Sequence, residues 1–141
     1  MLIAQLKETN MASVEKNKDD WKELRSRVDS IANAVFLVAG GALSLSITVV
    51  LGNKSASFIT KEVLGLTKQA WYYLLAAVLL FLLLKVHLVL QAFLLQFAPS
   101  FVNRHIVALN VVGWVVGALA FGAFAWGMFA MVQSGVVALG V

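Results

Sequence analysis

Apolar residues follow two patterns along this chain. From Val14 to Val38 they are spaced: Val14, Trp21, Val28 and Val35 recur every seven positions, and Leu24, Ile31 and Val38 fill the alternate sites. This is an a/d heptad, the mark of a helix that packs one face on a neighbour. From Ser30 onward polar residues thin out, and apolar ones run together over about 30–52, 70–97 and 106–132. Each run holds at least the roughly twenty residues a helix needs to cross a bilayer. The pattern therefore predicts an all-α polytopic membrane protein. A charged N-terminal segment spans 1–29; its heptad helix, with Ser13 as N-cap, continues into the first of three spans, and residues 30–141 form the transmembrane domain.

The segments between spans carry turn and interface signals. NKSASFITKEVLGLTKQ, residues 53–69, predicts a polar connection with a short interfacial helix ending near Gly65. Trp71, Tyr72 and Tyr73 follow it as interface anchors, because amphipathic rings settle at the headgroup level. APSFVNRH contains the only proline, Pro99, and predicts a turn hydrated by Asn103, Arg104 and His105.

Composition supports the membrane reading. The chain is 61% hydrophobic and 13% charged, whereas soluble domains carry about 25% charge. With no cysteine, disulfides, thiolate metal sites and cysteine nucleophiles are excluded. No Lys/Arg-rich run suggests nucleic-acid binding. The first apolar stretch is too long for a cleaved signal and is expected to remain as a membrane helix.

Charge placement predicts an orientation. Residues 1–29 hold six basic and six acidic side chains. Three basic residues (Lys54, Lys61 and Lys68) lie in the first connection, and Arg104 lies in the second. The positive-inside rule then puts the N-terminus and the Arg104 turn in the cytoplasm, with a bacterial-type inner membrane as the expected location.

Small residues mark packing faces. Ala34, Gly41, Ser44 and Thr48 share a face of the first span. Gly113, Gly117, Ala120, Gly127 and Gly135 lie roughly along one face of the third, with a GxxxG match at Gly113–Gly117. Such faces let helices approach closely, whether within the chain or between copies.

Lys85 and His87, in LLLKVHLVLQ, are the unexpected residues of the second span. At 100° per residue they face nearly opposite sides, while His87 and Gln91 share a face. Entering the membrane at Trp71 would leave Lys85 near the cytoplasmic boundary, able to snorkel. Centring the span near residue 84 would put Lys85 at midplane. There Asn33, Gln91, Asn110 or a water-filled lumen would have to receive it, because every acid lies at or before Glu62. A ring of such lysines would repel cations and admit anions. His87 reads as a hydrogen-bonded packing residue.

The sequence shows no nucleophile–base–acid set, no cluster of metal ligands and no phosphate-binding loop, so no enzyme activity, metal or cofactor is expected. The reading is a small non-catalytic membrane protein that self-assembles into an effector or pore of holin-like or toxin-like kind. The alternatives are an accessory or scaffold subunit of a larger membrane complex, or an immunity-type protein binding a pore former. Expected partners are lipid, other copies of the chain or other membrane subunits.

Overall fold

The computed structural model describes residues 2–140, with side chains over 20–98 and 100–140. It contains three helices: α1 (Leu2–Gly52), α2 (Lys61–Phe97) and α3 (Pro99–Leu139). All three are long and apolar enough to cross a membrane, and no strand occurs among the described residues. The chain divides into two units, Met1–Asn33 and Ala34–Val141.

The helix ends differ from the sequence expectation for local reasons. Helix α1 is already formed at Leu2, so Ser13 is not its N-cap; LIAQLKE and the residues after it are mostly good helix formers. No separate interfacial helix ends near Gly65. Instead Thr60, in an extended conformation, accepts the Val63 N–H at 3.2 Å through its side chain and starts α2. Glu62 in the first turn complements the positive helix end. Once α2 is nucleated there, Gly65 costs about 1 kcal/mol and does not break it. The second turn shrinks to one residue. Ala98 donates its N–H to the Leu94 carbonyl at 2.7 Å, closing α2, and Pro99 opens α3 at its first position. Proline fits there because its missing N–H would have had no helical partner. Asn103, Arg104 and His105 therefore lie on the first turns of α3, outside any loop. At the far end Gly140, at φ 73°, takes the left-handed cap that a side chain would disfavour.

Helices α2 and α3 form an antiparallel hairpin. The buried face of α2 is Val63, Thr67, Ala70, Leu74, Ala77, Phe81 and Leu84, in steps of three and four, and then Gln91, seven residues on. Its register is constant: Thr67 meets Ser134, Leu74 meets Gly127, Leu84 meets Gly117 and Gln91 meets Asn110. Large residues on α2 thus seat against glycines on α3, and the same register sets Phe81 level with the buried Ala120. At 37 and 41 residues, the two helices run about 55 and 61 Å. Both exceed the roughly 30 Å hydrocarbon layer.

The first span packs more lightly. Val35 and Ala39 are buried and Ser46 is half-buried, all on one face. The Trp71 indole N–H donates to the Ser46 hydroxyl at 2.6 Å, tying this face to α2.

Candidate functional site

Lys85 and His87 reach in opposite directions from α2. The Lys85 ammonium lies 5.4 Å from the centre of the Phe36 ring on α1, a cation–π arrangement. His87 reaches α3, with Nε2 3.0 Å from the Leu109 carbonyl oxygen. A carbonyl can only accept, so Nε2 carries the proton. Gly113 lies beside this bond, and a Cβ there would rest in ordinary contact with the imidazole at 3.6 Å.

One turn further along, Gln91 donates through Nε2 to the Asn110 side-chain oxygen at 3.1 Å, and Gln91 is almost fully buried. A second polar clamp closes the other end of the hairpin. The Thr67 and Ser134 hydroxyls bond at 2.7 Å, and Ser134 also donates to the Val63 carbonyl at 3.3 Å. Buried polar groups satisfied in this way hold two helices in one register, because slipping would leave each group unpaired. The consequence is measurable. Gln91→Leu or Asn110→Leu alone should each destabilise the hairpin, while the double variant should recover part of the loss. A double-mutant cycle on unfolding in mixed micelles should return a coupling of about 0.6–1.7 kcal/mol, and additive losses would contradict it.

Two aromatic layers bracket the centre of the hairpin. Trp71, Tyr72 and Tyr73 form one with Trp126 and Phe129, where Tyr73 meets Trp126 edge-on at 6.4 Å. Phe93, Phe97, Phe101 and His105 form the other. Twenty residues separate Tyr73 from Phe93, about 30 Å along the helix. Lys85 lies twelve residues from the first and eight from the second.

The small residues divide between the helices. Gly113, Gly117 and Gly127 face α2, and Gly127 makes the tightest approach: a Cβ there would lie 2.9 Å from Leu74 Cγ and 3.0 Å from its backbone nitrogen. Gly41 and Ser44 are exposed on the outward side of the first span, and a Cβ at Gly41 would meet nothing within 4 Å. Thr48 bonds back to the Ser44 carbonyl at 2.8 Å. On α1, Trp21 and Val28 are half-buried and Leu24 is exposed, while Val14 lies outside the residues whose side chains are described.

Comparison with known proteins returned no match among family models, curated proteins or solved structures. Function therefore has to be read from the side chains themselves.

Four of those side chains carry contacts that residue spacing did not single out: Phe36, Ser46, Thr67 and Ser134. The available signal was size and polarity. Ala70, Ala77 and Gln91 interrupt a greasy helix at multiples of seven, and Thr67 lies one turn before Ala70 on the same side. Among the described residues no three His, Asp or Glu side chains cluster in a way that could hold a metal ion.

Proposed function

We propose that the chain is a non-catalytic integral membrane protein that assembles with copies of itself into a membrane effector or pore, with Lys85 at its working position. The observation that supports this reading is the depth of Lys85. With the two aromatic layers taken as membrane interfaces, Lys85 lies about 12 Å inside the nearer one, at 1.5 Å per residue. Its Cα–Cβ bond tilts toward the start of α2, away from that interface, so snorkelling runs against the direction of the side chain. Inserting such a lysine costs about 2.5–3.5 kcal/mol, and a charge kept at that depth is by default functional.

In this reading the N-terminus and the Arg104 turn face the cytoplasm of a bacterial-type inner membrane. Three helices enclose no channel alone, so a conducting path requires several copies. Copies arranged around an axis near the α1–α2 seam would present a ring of ammonium groups that favours anions. The test begins with gentle extraction from the native membrane and measurement of mass and composition. A discrete homo-oligomer that releases chloride from liposomes faster than potassium is the expected result. A monomer, or a complex built mainly of other polypeptides, would overturn the reading.

A further inference from the structure

The N-terminal part of α1 carries an apolar seam that its own unit leaves open. Leu24 and Ile31 are 41% and 52% exposed. Trp21 and Val28 flank them half-buried on the same side. In heptad terms Leu24 and Ile31 are d positions, and Trp21 and Val28 are a positions. Leu24 is an exposed leucine among the charged residues Asp20, Lys22, Glu23, Arg25 and Arg27, and there it needs a covering surface; Ile31 carries the same line into the start of the first apolar run.

The charges beside this seam say what covers it. With Leu24 at d, Asp20 is the g residue and Arg25 is the e residue of the next heptad. In a parallel, in-register pair of helices, g of one chain faces the following e of the other. Asp20 would then meet Arg25 of the second copy, and by symmetry Arg25 would meet the second copy's Asp20. An antiparallel pair would not bring g against e. Arg27, at the next g position, does not compete for this role, because it bridges Glu23 within one turn and the e residue it would face on the second copy is Ala32.

Arg25 adds an independent observation. It is half-buried, and its Nε is shielded from water with no hydrogen-bond partner among the described residues. A shielded guanidinium N–H without an acceptor is unfavourable, and a planar fork is built for a carboxylate. A change of rotamer would present that fork to an Asp20 arriving from a neighbouring chain.

We infer that the N-terminal part of α1 is a docking surface for a second copy of the same chain, as a parallel in-register pair sealed by Trp21, Leu24, Val28 and Ile31 and by reciprocal Asp20–Arg25 bridges. Parallel pairing follows from the covalent structure. Copies inserted the same way enter the membrane from the same side, so each N-terminal segment leads into its first span in the same direction. This inference rests on the self-assembly reading and specifies which surface performs it.

The absence of cysteine makes the test direct, since an introduced thiol has no rival. Leu24→Cys, oxidised in native membranes, should give a disulfide-linked dimer of the full chain. Ser26→Cys, two residues away on the f position, should not. In the Leu24→Cys background, Asp20→Arg should cut the linked fraction by about fivefold, because two attractions become two repulsions. Arg25→Asp should do the same, and the double swap should restore linkage. A discrete homo-oligomer without Leu24→Cys linkage, or a double swap no better than the single ones, would overturn the inference and leave self-assembly standing. A monomer in mild detergent would remove both.

Discussion

Replacing Gly127 with alanine should destabilise the α2–α3 hairpin by about 1–3 kcal/mol, the usual cost of forcing a methyl group into a packed interface. The same change at Gly122 should be neutral or stabilising by up to about 1 kcal/mol. The chemistry is identical, and only the surroundings differ. A Cβ at Gly127 would meet Leu74 Cγ at 2.9 Å and its backbone nitrogen at 3.0 Å. Leu74 is fully buried, so its side chain has nowhere to swing, and the nitrogen belongs to a rigid helix. One helix must move away from the other. At Gly122 a Cβ would meet nothing within 4 Å, so alanine only removes glycine's entropic penalty in a helix. Gly113 and Gly117 fall between these cases, because a Cβ at either would make ordinary contact at 3.6 Å. Unfolding midpoints in mixed micelles, followed by tryptophan fluorescence, would rank the variants. Trp126 sits beside Gly127 and against Tyr73, so it reports directly on this packing. Equal midpoints for the Gly127 and Gly122 variants would contradict the close approach.

The same comparison shows what the sequence could and could not reveal. Three helical spans were legible because the bilayer demands long apolar stretches, and few other structures supply them. The glycine face of α3 was legible as a packing face, but its partner was not. In a soluble helix the apolar stripe points to the core, whereas in α2 nearly every residue is apolar and the hydrophobic period vanishes. Only residue size and a few hydroxyls and amides mark the inward side, at Thr67, Ala70, Ala77 and Gln91. The N-terminal heptads raise the opposite difficulty. Their periodicity is plain, yet Leu24 is exposed, because a heptad marks an apolar line on a helix without recording what covers it. The turns are shorter than their polar residues predict, for a simpler reason. Polar residues such as Asn103, Arg104 and Lys61 suit a loop and the first turns of a helix equally well, and the caps Thr60 and Pro99 decide between them.

Replacing Lys85 with leucine should make the protein more stable and less active at once. The stability gain comes from relieving the insertion cost, about 2.5–3.5 kcal/mol for a lysine near midplane. Against this stands the loss of the contacts Lys85 makes, among them the cation–π contact with Phe36, worth about 0.5–2 kcal/mol. A net gain of about 0.5–3 kcal/mol is expected in unfolding experiments, together with collapse of chloride release from liposomes. Lys85→Arg should retain anion release, because the charge and the ring contact both survive. Phe36→Leu should keep the charge but loosen the seam between the first span and α2, where the Trp71–Ser46 hydrogen bond is a further tie. Snorkelling and lumen roles part company here. A lysine that only anchors the helix at an interface would, when replaced by leucine, leave flux unchanged. A lysine that serves as a structural clasp would, when replaced, lower stability. Either result would remove Lys85 from the conducting path, whereas gained stability with lost flux would show a charge retained at the expense of the fold for the sake of what the assembly does.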